Sequence, residues 1–171
     1  NMSSERIAEA MKALGCPVVM TDSSHSTGTD RVAEVARQIE AGIIINVQGD
    51  EPMIQPESIE NIVEVFKEND TLEYGQLVAR IEDPADLIDD NVVKAVVGED
   101  GYILFYSRAS VPYPKSRDVY ASYKHIGVYG YRRDFLQLFT SIDPGRIEQT
   151  EGIEQLRALE HGYKVRAVVV K

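Results

Sequence analysis

Residues 43–52 read Ile-Ile-Ile-Asn-Val-Gln-Gly-Asp-Glu-Pro, and no other stretch constrains the fold as strongly. A short apolar run rich in β-branched residues and bounded by turn residues suits a strand better than a helix. A strand that is apolar on both faces reads as a buried member of a parallel sheet. In open α/β sheets, ligands bind in the crevice beyond the carboxyl ends of such strands. The pattern therefore predicts a buried parallel strand at 43–47 that delivers Gln48, Gly49, Asp50 and Glu51 into a crevice. Asp50 held there can ligate Mg²⁺, which takes one or two carboxylates together with substrate phosphates. A turn with helix-capping acids explains the same residues without chemistry.

The flanking sequence supplies the elements such a sheet needs. Residues 4–14 carry Ile7, Ala8, Met11 and Leu14 at helical spacing, with Ser3 or Ser4 as cap. Val18, Val19 and Met20 read as a short strand and residues 22–28 as a polar loop. Thr29 or Asp30 caps a helix running to Glu40, so that a right-handed βαβ unit is expected. Pro56 starts a helix with Glu57 and Glu60 in its first turn, reaching Asn69. Residues 74–81 read as a strand and 83–91 as an acidic connection. Residues 92–97 and 102–106 flank Gly98-Glu-Asp-Gly101, a hairpin signal. A mobile loop is expected at 113–123, a strand at 126–131 and a short helix at 134–140. A helix from Glu151 to His161 stops at Gly162, and a last strand covers 163–170. Alternating strands and helices with a late hairpin define an α/β sandwich.

Composition limits the function classes. A length of 171 residues suits a single domain, here 2–171, with a sizeable core. The net charge of −10, from 28 acids and 18 bases, argues against a nucleic-acid binder. No apolar run approaches the ~20 residues that span a bilayer. Cys16 is the sole cysteine, which points to a reducing, cytoplasmic setting. A nicotinamide dehydrogenase is disfavoured because no G-x-G-x-x-G opens a helix.

Six segments in order carry a resemblance: Thr27-Gly-Thr-Asp-Arg-Val-Ala-Glu34, Asn46-Val-Gln-Gly-Asp-Glu-Pro52, Val93-Lys-Ala-Val-Val97, Tyr106-Ser-Arg108, His125-Ile-Gly-Val-Tyr-Gly-Tyr-Arg132 and Glu154-Gln-Leu-Arg157. Together they closely resemble the 3-deoxy-manno-octulosonate (KDO) cytidylyltransferases, or CMP-KDO synthetases, over essentially the whole chain. The resemblance implies a Rossmann-like nucleotidyltransferase sandwich with a mixed, mainly parallel sheet and an inserted hairpin. It implies the reaction of CTP with KDO to give CMP-KDO and pyrophosphate for bacterial lipopolysaccharide synthesis, Mg²⁺ as cofactor, and a homodimer.

Site roles follow from the same resemblance. Asp50 is the expected metal ligand and, with Gln48, the catalytic pair; Gln48 also contacts the sugar. Thr27, Gly28, Thr29 and Arg31 are the expected nucleotide-binding residues. His125, Tyr129, Glu154 and Gln155 are expected to bind the sugar, with a protonated His125 pairing with its carboxylate. Each has a plainer alternative. Gln48 can satisfy loop backbone, Thr29 and Asp30 can cap a helix, and Arg31 can pair with a carboxylate. His125 can be structural, Tyr131 core, and Glu154 and Arg157 a surface pair. Arg108 can face the pocket or brace the hairpin, and Glu51 is expected to be structural or capping.

The sequence departs from the family pattern at both ends. It lacks the arginine- and lysine-containing phosphate loop that opens the family sequence and the later Gly-Val-Asp-Thr-Pro-Glu-Asp segment with a second metal aspartate. The expectation is that this polypeptide alone is inactive or nearly so. A non-catalytic dimerisation or sugar-binding remnant, and a synthetase acting on sialic acid or an amino-KDO, are the competing readings.

Overall fold

The computed structural model describes residues 2–113, 115 and 122–171, and their contacts divide into two units, 1–40 and 41–171. Most of the loop expected at 113–123 lies outside the described residues.

The first unit holds two helices, α1 (Met2–Ala13) and α2 (Gly28–Ala36). The strand expected at 18–20 does not form, so neither does the βαβ unit; Val19 and Met20 lie exposed in irregular chain. Three apolar residues cannot make a strand without a ladder partner for their backbone groups. The cap of α2 is Thr27 rather than Thr29 or Asp30. Its hydroxyl accepts from the Asp30 amide at 3.1 Å, and the Asp30 carboxylate accepts from the Thr27 amide at 3.0 Å. The helix closes at Ala36, short of Glu40.

The second unit is a six-stranded sheet with helices against it. Its elements are β1 (Ile43–Val47), α3 (Pro56–Glu68), β2 (Tyr74–Arg80), α4 (Pro84–Ile88), β3 (Lys94–Val97), β4 (Ile103–Ser107), β5 (Tyr123–Arg132), α5 (Arg133–Ser141), α6 (Arg146–Glu151), α7 (Leu156–Glu160) and β6 (Arg166–Val170). The order is β4-β3-β5-β2-β6, and β1 also pairs with β5. The sheet is mixed, as expected, and the hairpin is β3–β4. Its directions correct two expectations. Among the described residues only β2–β6 is parallel, so the sheet is not mainly parallel there. The 43–47 strand runs antiparallel to β5, Ile43 facing Arg132 and Val47 facing Val128. It is also only partly buried, with Ile44 and Asn46 turned inward. An apolar run encodes burial but carries no sign of its partner's direction.

Two helix boundaries also differ. The acidic connection contains α4, started by Asp83 and Pro84. The helix expected over 151–161 is interrupted. Gly152, at φ +65°, caps α6 in the left-handed region, and α7 begins only at Leu156.

The core explains why the strands sit where they do. On one face, Ile62 and Phe66 of α3 pack with Leu72, Leu77, Val128 and Val168. Gly75 and Gly130 face each other across β2 and β5, and the Phe66 ring fills the space their missing side chains leave. On the other face Tyr74 and Tyr131 stack at 4.6 Å beside Phe135 and Phe139 of α5. Tyr131 is therefore a core residue. The sheet is covered on both faces, and β5 runs through its middle.

Candidate active site

The chain turns immediately after β1. The Glu51 amide bonds the Gln48 carbonyl at 3.1 Å, closing a turn that presents Gly49 and Asp50 to solvent. Two further bonds tie this turn to β5: Gln48 amide to Gly127 carbonyl at 2.8 Å, and Gly127 amide to Glu51 Oε1 at 2.7 Å. Glu51 is structural, as expected. Asp50 is thus presented by the turn and not by a continuation of the strand.

β5 supplies the wall opposite. Tyr129 is fully buried as a residue, and its hydroxyl oxygen accepts from Gln48 Nε2 at 3.2 Å. Burial pushes the phenol far up from its ordinary pKa, and the carboxylates of Glu154, Asp50 and Glu51 push it further; a side-chain hydrogen bond with Gln155 works weakly against them. That phenol stays protonated throughout the physiological range. His125 sets its ring edge-on to Tyr129 at 5.9 Å. Its Nδ1 is buried without a hydrogen-bond partner, and the residue as a whole is partly exposed. Burial lowers its pKa to about 4; the Asp50 charge opposes that and the Arg108 charge adds to it. Burial thus favours the neutral imidazole in the free protein; the expected protonated form belongs to a complex with a carboxylate substrate.

The third wall is the segment before α7. Gln155 is buried at the helix N-cap, with Glu154 in the preceding turn. The Glu154–Arg157 surface pair proves secondary. Arg157 is buried and bonds Glu148 through two nitrogens, at 2.9 and 2.6 Å, whereas Glu154 Oε1 lies 4.0 Å away. Arg108 takes the bracing role. Its guanidinium donates to the carbonyls of Glu151 at 2.9 Å and Asp90 at 2.8 Å. Gln48, Asp50, His125, Tyr129, Glu154 and Gln155 thus converge around one hydroxyl, that of Tyr129.

Thr27, Gly28, Thr29 and Arg31 lie together at the start of α2, in the other unit. Thr29 is buried and Thr27 is the cap. Arg31 donates to Thr21 Oγ1 at 3.0 Å and to the Asp22 carbonyl at 2.8 Å, holding the loop ahead of its own helix.

Two buried polar groups near the cluster escape the sequence reading. Lys94 is fully buried and donates to the carbonyls of Asp89 at 2.7 Å and Val92 at 2.6 Å; burial lowers its pKa. Gln76 is fully buried in β2, its Oε1 accepting from the Tyr106 hydroxyl and its Nε2 donating to the Ile126 carbonyl at 3.4 Å. The available signal was a polar residue inside an apolar strand run, Val-Val-Lys-Ala-Val-Val and Tyr-Gly-Gln-Leu-Val.

Among the described residues no group of three or more His, Cys, Asp or Glu side chains comes together to hold a metal. Asp50 offers one exposed carboxylate. That donor set fits a hard cation whose other ligands are water and substrate oxygens, and does not fit an all-protein cage.

Comparison with known proteins gives a consistent result. Residues 2–165 match the family described as cytidylyltransferase. A 3-deoxy-manno-octulosonate cytidylyltransferase of Geobacter sulfurreducens is 44% identical, over 96% of this chain and 70% of its own. An 8-amino-3,8-dideoxy-manno-octulosonate cytidylyltransferase of Shewanella amazonensis is 41% identical, over 96% of this chain and 69% of its own. The solved structure of a CMP:2-keto-3-deoxy-manno-octonic acid synthetase complexed with CTP superposes with a TM-score of 0.91 at 37% identity, covering 96% of this chain and 68% of that one. The chain spans about two thirds of the length of the relatives it matches, from 66% to 70% in the first three.

Proposed function

The chain belongs to the cytidylyltransferase family, and on that premise we propose that its Tyr129-centred cluster binds KDO for cytidylyl transfer from CTP, giving CMP-KDO and pyrophosphate. The observation that carries this reading is the gathering of five polar side chains from three separate segments around the Tyr129 phenol: Gln48 and Gln155 by hydrogen bond, Glu154 and Asp50 by charge, and His125 by its edge-on ring. A polyhydroxylated acid offers many donors and acceptors, and such a wall can answer them. The Gln48 and Gln155 amides can each donate and accept. The Glu154 carboxylate accepts from sugar hydroxyls. Tyr129, held protonated, keeps a donor available. His125 contributes a neutral imidazole, so its contact with the sugar is a hydrogen bond rather than an ion pair unless the substrate carboxylate raises its pKa.

Asp50 is the proposed Mg²⁺ ligand. The metal, when bound, supplies charge neutralisation at the phosphates and alignment of the attacking hydroxyl. Asp50 stands exposed in the turn after β1, so phosphate and water oxygens could complete the coordination of a metal held there. Thr27, Gly28, Thr29 and Arg31 are assigned to the nucleotide: the α2 N-terminus offers backbone N–H groups, and Arg31 a cation. The proposal includes a homodimer using the β3–β4 hairpin, whose Leu104 is exposed, and a bacterial cytoplasmic setting within lipopolysaccharide synthesis. No helix among the described residues is long and apolar enough to cross a membrane.

Calorimetric titration with KDO, its 8-amino analogue and sialic acid, each with Mg²⁺, tests this reading. The expected result is saturable KDO binding, weakened at least about tenfold, or ~1.4 kcal/mol, by Gln48→Ala and by Glu154→Gln. The 41% identical relative named for the 8-amino sugar keeps that substrate as the second reading, and preference for it in the titration would replace KDO. Binding of none of the three by the folded chain would overturn the assignment.

A further inference from the structure

β5 contains an irregularity at the cluster. Across β2, Gln76 faces Tyr129 and Val78 faces His125. Two steps along β2 therefore span four along β5, leaving two extra residues in β5. In a regular strand, side chains four residues apart stand roughly 13 Å apart and do not touch. Here the His125 and Tyr129 rings meet at 5.9 Å. The bulge is what brings them together, in keeping with the general use of bulges to re-aim a side chain.

A bulge removes backbone groups from the ladder, and buried ones need other partners. At Gly127 the partners are the turn after β1: the Glu51 carboxylate takes the amide and the Gln48 amide bonds the carbonyl. At Ile126 the partner is a side chain, Gln76 Nε2. The Gln76 amide cannot turn freely, because the Tyr106 hydroxyl donates to its oxygen and so leaves the nitrogen facing the Ile126 carbonyl. On the other edge, the His125 amide bonds the Val93 carbonyl at 3.0 Å, so the strand is anchored on both sides of the bulge.

We propose that Gln76, oriented by Tyr106, is a positioning residue: it holds the β5 bulge and thereby sets His125 against Tyr129 in the sugar-binding wall. The proposal rests on the cluster being the sugar site, but the bulge mechanism can be tested without substrate. The buried Gln76 side chain takes the place of a ladder hydrogen bond at the Ile126 carbonyl. A same-sized apolar side chain leaves the Ile126 carbonyl without its donor, the bulge relaxes, and His125 moves toward solvent.

The test is an NMR pH titration of the histidine side chains, with His125 assigned by His125→Asn, on wild type, Gln76→Leu and Tyr106→Phe. In wild type, His125 is expected to titrate at about 4. In Gln76→Leu the midpoint is expected to rise toward the ordinary value near 6.5, with Tyr106→Phe moving the same way by less. Calorimetry with KDO on the same proteins should give at least tenfold weaker binding in Gln76→Leu. Wild-type His125 positions with unchanged midpoints in both folded variants would overturn the proposal. If Gln76→Leu does not fold, Tyr106→Phe decides it by the same titration. If wild type binds no KDO yet the midpoints shift, the bulge mechanism stands and the substrate reading falls.

Discussion

Among single residues, His125 makes the most specific demand on solution behaviour. Its pKa is lowered to about 4 by burial, below the ordinary 6.5. Between those values the unfolded chain binds the extra proton and the folded chain does not. His125 therefore contributes to stability fully above pH ~6.5, and that contribution falls as pH drops toward 4; the shift is worth up to about 3 kcal/mol at 1.36 kcal/mol per unit. Urea unfolding of wild type and His125→Asn from pH 4 to 7 should show a shallower acid loss of stability in the variant; parallel curves would mean that the imidazole is not buried neutral. The sequence singles these residues out because each stands in an ordered motif. Their state is not legible there. That His125 is neutral, or that Arg157 is a buried partner of Glu148 rather than a surface partner of Glu154, depends on what packs against them, and motif spacing says nothing about that.

Elements decide whether these side chains meet, and β5 is the decisive one. It accepts β2 on one edge and β1 and β3 in turn on the other. It also presents Gly130 to α3, where an added Cβ would lie 2.5 Å from a Phe66 ring atom and 3.2 Å from Ile62. Gly130→Ala should cost about 1–3 kcal/mol by overpacking, measured as a lower urea midpoint with an unchanged slope; no change in midpoint would mean that α3 can lift off the sheet freely. Helix α3, strands β2 and β5 and the hairpin were readable from periodicity and turn residues. The direction of β1 was not, because Ile-Ile-Ile-Asn-Val fits a parallel or an antiparallel partner equally well. Nor was the bulge, since it arises from Gln76 and Glu51, 50 and 76 residues distant in sequence from the backbone groups they satisfy. The strand expected at 18–20 failed for the complementary reason: its apolar residues were visible, but a pairing partner is a property of the fold.

At the scale of the molecule, the larger unit gathers a polar cluster around the Tyr129 phenol on a sheet covered on both faces. The hairpin's Leu104, 63% exposed at the sheet edge, is the proposed dimer contact. Leu104→Asp should shift sedimentation toward the monomer, and a dimer unaffected by it would move the interface elsewhere. The central claim is that KDO binds where Gln48, Asp50, His125, Tyr129, Glu154 and Gln155 converge. Its most direct test is to add KDO with Mg²⁺ to isotope-labelled protein and follow the backbone and His125 side-chain resonances. The account predicts saturable shifts concentrated at residues 48–51, 125–129 and 154–155, abolished by Gln48→Ala with Glu154→Gln. Saturable shifts centred elsewhere, with these residues unmoved, would contradict it.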